Sequence, residues 1–206
     1  MTESVDGRTA RWEQHNAERR RALVEDAVRA IRELGPGVGM EEIAARAKTS
    51  KTVLYRHFGD KAGLYREIVS SVHDYILRTL PLKDAEDLGP RELIAKLADT
   101  YLAVVERDRN LYLFVSSRPT GETPTEDPVA TITTRIGNEV AETFRAWLGN
   151  QGGDVEPANI WAHGAVGFIW AVADRWIVTN LRRPRSDVVA YIDQFFAPAF
   201  DAHQRS

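Results

Sequence analysis

Between Met40 and Phe58 the apolar residues recur at helical spacing twice, in two series separated by a polar break. Met40, Ile43, Ala44 and Ala47 mark one helix face; the pattern stops at Lys48-Thr49-Ser50 and restarts as Val53, Leu54 and Phe58. The stretch therefore predicts two short helices joined by a tight turn, set off by Gly35-Pro36-Gly37 ahead and Gly59-Asp60 behind.

The residue types suit a helix-turn-helix. Glu41 and Glu42 would sit at the positive end of the first helix's macrodipole, with Gly39 as a tolerable N-cap. Ala44 and Ala47 are small, so a second helix can cross close behind them. Ser50 is a good N-cap whose oxygen can accept a backbone N–H from Thr52 or Val53, leaving Lys51 and Thr52 at the end of the helix that would enter a major groove. Tyr55, Arg56 and His57 add donors and an aromatic edge on the face away from Val53, Leu54 and Phe58. A merely solvated polar face is the plain alternative. The conjunction of spacing, turn and the run Leu54-Tyr55-Arg56-His57-Phe58-Gly59-Asp60-Lys61 argues against it.

That stretch resembles the TetR family of bacterial transcriptional regulators, whose signature is an Ile-Ala helix, a turn ending in Ser, a Leu-Tyr-x-His/Tyr-Phe recognition helix and a following Lys. The resemblance covers about residues 20 to 70. It implies base contacts from Lys51, Thr52 and Arg56 and phosphate contacts from Tyr55, His57 and Lys61; Lys48 and Ser50 complete the DNA-binding set. The chain departs from the family where Gly and a small apolar residue usually stand at Lys48 and Thr49, where Gly-Thr often stands at Thr52-Val53, and where a Thr commonly caps the second helix at Gly39-Met40. These departures bear on the operator rather than the fold. Glu41 replaces a residue that contacts DNA in some members, and no DNA contact is assigned to it.

A net charge of −3 is unlike that of a protein that coats nucleic acid, so DNA binding must rest on where cations sit rather than on bulk charge. The absence of Cys excludes disulfides and thiolate chemistry and fits a reducing cytoplasm. The start, Met1-Thr2-Glu3-Ser4, has no basic-then-apolar signal pattern, so a cytoplasmic location is expected.

Along the chain, residues 1–15 read as a flexible basic arm, 16–62 as the DNA-binding domain and 63–206 as a helical body. The first helix ends at Gly35-Pro36; a long one runs from Asp60 to Leu80, with no breaker before Pro81. Residues 81–89 read as a linker and 118–128 as a long loop. Further helices are expected over 90–107, 111–117 and 128–148, then from Pro157 to Val178, and from Ser186 onward. The whole is an all-α fold: a three-helix DNA-binding head plus a C-terminal helical bundle.

The segment Ile160 to Val178 is apolar nearly all round yet broken by His163, Asp174 and Arg175, too polar to span a membrane and too apolar for a surface helix. It must be buried on two sides. A homodimer burying Trp161, Gly164, Gly167, Trp176, Ile192, Phe195 and Phe196 answers this economically, and two heads would then read a palindrome; the family uses its last two helices so. The alternative is a monomer with a well-packed C-terminal hairpin.

The family also keeps a ligand cavity in the body. Its candidates here are Tyr101, Phe114, Trp147, His163, Phe168 and Trp170, each of which can equally be core. His163 and Asp174, too far apart to satisfy one another, would need partners or a ligand. The five histidines show no metal-ligand spacing, and no nucleophile elbow, phosphate loop or dinucleotide fingerprint is present, so no metal, cofactor or catalytic residue is assigned. The reading is a non-enzymatic regulator, by the resemblance a repressor, released from operator DNA by a small, largely apolar or aromatic effector. A hydrophobic carrier with a degenerate head, or an activator of the same fold, stays open.

Overall fold

The structure is a computed structural model describing residues 3–82, 88–117, 128–179 and 182–203, with side chains described over 9–82, 88–117, 131–179 and 182–200. Among these residues the elements are all helical: α1 (Glu3–Leu34), α2 (Met40–Arg46), α3 (Lys51–Phe58), α4 (Lys61–Thr79), α5 (Pro90–Arg107), α6 (Arg109–Ser116), α7 (Pro128–Asn150), α8 (Ala158–Val178) and α9 (Arg185–His203). No helix is long and apolar enough to cross a membrane. Residues 118–127 of the expected 118–128 loop, and 83–87 of the expected linker, lie outside the described residues.

Two compact units emerge. The first comprises residues 1–72 and 110–122, the second 73–109 and 123–206. The division falls inside α4, later than the expected boundary at 62/63, because packing rather than a break in the helix separates the units. Most of α6 also joins the first unit.

In the first unit α1 packs on α2, and Leu23, Ala27, Ala30 and Ile31 of α1 are buried, as are Ile43 and Ala44 of α2, Leu54 of α3 and Leu64 and Ile68 of α4. α6 is anchored there too. Tyr65 donates to the Val115 carbonyl at 2.8 Å and its ring lies 5.5 Å from that of Phe114, while Asn110 Nδ2 donates to the Arg32 carbonyl at the end of α1. The segment expected as a flexible arm is helical from Glu3 onward. It contains no proline, and pairs such as Gln14 with Glu18 at i, i+4 support a solvated helix.

In the second unit α8 packs along α7 and α9 along α5. The α8 face toward its own core carries Ala158, Ala162, Ala165, Ile169, Ala173 and Trp176, all buried. α9 is tied to α5 by ion pairs near both ends: Arg91 grips Asp193 through two 2.8 Å bonds, and Arg185 reaches Asp99 at 2.9 Å and Glu106 at 3.5 Å. Bidentate geometry orders these side chains, though their exposure limits each to about 1 kcal/mol.

His163, expected to need a partner, has one. Its Nδ1 lies 2.9 Å from the Asn159 carbonyl, and its ring covers Gly137 of α7, where an added Cβ would stand 2.6 Å from the ring. No buried side-chain nitrogen or oxygen among the described residues lacks a partner. His163 is thus a packing residue that sets the α7–α8 separation. Gly137→Ala should destabilise the protein by about 1–3 kcal/mol in urea unfolding. Most of that loss should vanish in a His163→Ala background; a penalty that persists there would assign the tight spot to other atoms.

Candidate nucleic-acid interface

The α2–α3 turn is built by backbone hydrogen bonds that its sequence only partly suits. Thr49 N–H donates to the Ala44 carbonyl at 2.9 Å and Lys48 N–H to that of Ala45 at 3.1 Å, the pair of bonds that closes a helix by the Schellman motif. The residue between must be left-handed, and Lys48 is, at φ 49°. Here lies the reason that family members favour glycine at this position. Ser50 then caps α3, its Oγ accepting Val53 N–H at 3.3 Å. At the entry, Gly39 N–H donates to Glu42 Oε2 at 2.8 Å, the half of a capping box that a glycine permits.

The exit from α3 is equally determined. Gly59 adopts φ 80°, Asp60 Oδ1 accepts Gly63 N–H at 2.6 Å, and the Phe58 carbonyl stands 1.9 Å from where a Cβ on Gly63 would lie. Only glycine fits. Arg20 of α1 closes the corner: it donates to the His57 carbonyl, pairs with Glu67 at 2.9 Å, and holds its guanidinium 4.9 Å over the Phe58 ring. The sequence carries only faint signals of these roles: a basic residue three positions before the first core leucine, and a glycine three after a capping Asp.

Of the DNA-binding candidates, Lys48, Ser50, Lys51, Thr52, Tyr55, Arg56 and Lys61 are exposed or half-buried along α3 and its two flanks; Tyr55 is 44% exposed despite its size. His57 is half-buried and held below the ordinary imidazole range, first by burial and then by the guanidiniums of Arg56, Arg19 and Arg20. It lines, with Arg56, Trp12, His15, Asn16 and Arg19, an open groove of about 790 Å³ between α1 and α3. Lys51 is not free: its Nζ lies 2.5 Å from Glu41 Oε1. Arg46 likewise holds Glu33, whereas Arg56, Lys48 and Lys61 have no carboxylate partner among the described residues.

This geometry is that of a DNA-reading helix-turn-helix, and the whole chain agrees. Residues 23–68 match the family model of bacterial regulatory proteins of the tetR family, and residues 82–201 that of the tetracyclin repressor-like C-terminal domain. The chain belongs to the TetR family. An uncharacterised HTH-type transcriptional regulator of Mycobacterium tuberculosis is 28% identical over 193 residues, 93% of this chain and 81% of that one. FadR from Bacillus subtilis, solved with stearoyl-CoA, shares the fold at TM-score 0.67 and 14% identity over 84% of this chain and 95% of its own. AibR, solved with isovaleryl coenzyme A and operator DNA, does so at TM-score 0.61 and 21% identity over 86% and 97%. This TetR-family protein is accordingly a DNA-binding transcriptional regulator.

The remaining candidates scatter. Phe114 lies in the first unit, where with Tyr65, Met40, Ile68 and Lys61 it lines a cavity of about 290 Å³, apart from the other expected ligand residues. Trp147 packs edge-on against Phe200, and Phe168 stacks on Phe195 at 4.6 Å and meets Phe196 edge-on. Tyr101 and Trp170 are half-buried. Trp176 and Ile192, expected at a dimer interface, face their own core at 6% and 1% exposure; Trp176 donates to the Arg183 carbonyl. An indole N–H needs a partner when buried, and the α8–α9 connection supplies it. Gly164 and Gly167 instead face open space, as Phe195 largely does.

Because a lysine in the left-handed region costs roughly 1–2 kcal/mol, partly offset by glycine's greater freedom when unfolded, Lys48→Gly should stabilise this protein by about 0.5–1 kcal/mol. A denaturation midpoint lower than that of the parent would show that the Lys48 side chain contributes contacts outweighing the strain.

Proposed function

We propose that this protein is a ligand-responsive repressor that binds a palindromic operator as a homodimer in the cytoplasm. The observation that carries the DNA-reading part is the placement of charge. Arg20 and Arg46 on the first unit are paired with Glu67 and Glu33, while Arg56 on α3, Lys61 just beyond it and Lys48 in the turn have no carboxylate partner among the described residues. Arg56 reads a base edge, and Lys61, at the start of α4, holds a phosphate. The resulting expectation is that Arg56→Ala lowers discrimination by about 1–3 kcal/mol, whereas Lys61→Ala weakens selected and scrambled duplexes alike and flattens the salt slope by about one. Fluorescence anisotropy on a duplex selected from a random pool, against a scrambled one, measures both. Equal losses from Arg56→Ala would make Arg56 a phosphate residue. Only weak, steeply salt-dependent binding by the parent protein would favour the carrier reading instead.

The homodimer rests on an apolar stripe that the chain leaves uncovered. On α8, Ile160 is 76% and Val178 55% exposed, with Gly164, Gly167 and Ala171 between them; on α9, Tyr191 and Phe195 are 53% and 64% exposed. A face of this kind on two helices invites a copy of itself. The glycines decide a test, because each has room within its own chain. Gly164→Leu should leave the monomer fold intact, even favour it through helix propensity, yet weaken dimerisation at least about tenfold by overpacking the partner. Sedimentation equilibrium reads this; an unchanged dimer would move the interface elsewhere.

For the effector, an apolar body seated among the aromatic residues of the second unit is the reading the composition supports. The coenzyme A thioesters bound by FadR and AibR make acyl thioesters the first class to titrate. α4 is the element proposed to carry the change, since it is continuous from Lys61 to Thr79.

A further inference from the structure

Glu41 lies outside the DNA-binding set, yet it makes an ion pair with the first residue of the recognition helix. It stands in the first turn of α2, 77% exposed at its side chain, with one carboxylate oxygen 2.5 Å from Lys51 Nζ. Its neighbour Glu42 is occupied differently, capping Gly39, so the two acids of that turn have separate tasks. The pair holds Glu41 below the ordinary carboxylate range and raises Lys51, chiefly through the hydrogen bond. Both groups are therefore fully ionised near neutral pH.

An ion pair so exposed contributes little to stability, and three other features give it a consequence for binding. Lys51 is at the front of α3, the position that meets base edges in a helix-turn-helix. Lys48, Arg56 and Lys61, the other cations of the reading surface, have no carboxylate partner among the described residues. A carboxylate at that surface is also repelled by every phosphate, whatever the sequence.

We propose that Glu41 is a specificity-determining residue: it masks Lys51 from the DNA backbone, so that Lys51 is released only where a base edge offers a better acceptor than a phosphate does. The proposal rests on the reading of α3 as the DNA-facing helix. A lysine let go by its carboxylate must find concentrated acceptor density, and the O6 and N7 of guanine in the major groove supply it. At other base pairs Lys51 stays with Glu41, and the pair, neutral as a unit, offers the strand no attraction. Discrimination thus arises by withholding a cation from wrong sites as well as by rewarding the right one.

Glu41→Gln, which keeps the side chain's size and removes its charge, tests this in the full-length protein, with Lys51→Gln and the double variant beside it. Anisotropy titrations over a salt series would use a duplex selected by the parent protein and a scrambled duplex. Glu41→Gln should raise affinity for the scrambled duplex about 2–5-fold, steepen the salt slope by about one, and lower the ratio of selected to scrambled affinity. In the Lys51→Gln background the same change should leave that ratio unaltered, a coupling that the double-mutant cycle isolates. If Glu41→Gln raises both affinities equally, the carboxylate acts only as background charge and the proposal is overturned. It is likewise overturned if the ratio falls equally with and without Lys51. Failure of the underlying reading would look different, since Lys51→Gln and Arg56→Ala would then both leave DNA binding untouched.

Discussion

The contact between the Phe58 carbonyl and the α-carbon of Gly63 sets the direction of the recognition helix. A helix ends with carbonyls that have no partner, and the last turn of α3 would ordinarily point them at solvent. Here the chain reverses through Gly59 at φ 80°, Asp60 caps the next helix, and α4 begins so close that no side chain can stand between. α3 is therefore held from behind by backbone. Its exposed face can then be polar throughout without loosening the unit, because Leu54 and Phe58 and the Arg20 clamp on the His57 carbonyl supply the anchorage.

What could be read from the sequence followed from local rules. The break in the apolar pattern at Lys48-Thr49-Ser50, the Ser50 cap and the Gly35-Pro36 and Gly59-Asp60 punctuation are short-range features, and the helices appear where those features put them. Other parts depended on packing that no spacing encodes. Helical periodicity showed that α8 is apolar all round but not which side faces its own chain, so Trp176 and Ile192 were grouped with Gly164 and Phe195. The large residue turned inward to donate its N–H, while the glycines stayed open. His163 appeared as a polar group in want of a partner because its carbonyl acceptor, one turn back on the same helix, leaves no trace in composition. Phe114 was grouped with the body by its position in the chain, and the ring of Tyr65 places it in the other unit.

Two kinds of small residue on α8 illustrate the same point energetically. Ala158, Ala162, Ala165 and Ala173 are buried on the α8 core face, where a methyl group fills the space that close helix packing leaves. Gly164 and Gly167 lie on the opposite side with nothing within 4 Å of a built Cβ. A glycine inside a helix costs about 1 kcal/mol relative to alanine and gains nothing from open solvent. Two of them along an exposed apolar stripe make sense where another helix must come closer than alanine allows, which is the role the proposed homodimer gives them.

Charge on the first unit is organised by position rather than by amount. The protein is acidic overall, so a long-range attraction to DNA is not available, and the burden falls on individual cations at the reading surface. Arg20 and Arg46 are committed to carboxylates or carbonyls that hold helices together. Among the described residues Arg56 and Lys61 have no carboxylate partner, whereas Lys51 is held by Glu41. In the proposed reading, the pairing of Lys51 with Glu41 withholds that cation from the phosphates of duplexes in general. In that reading selectivity comes from sites that satisfy Arg56 and Lys61 and draw Lys51 away from Glu41 together, and a weak background of binding to other sequences is what makes such selection effective.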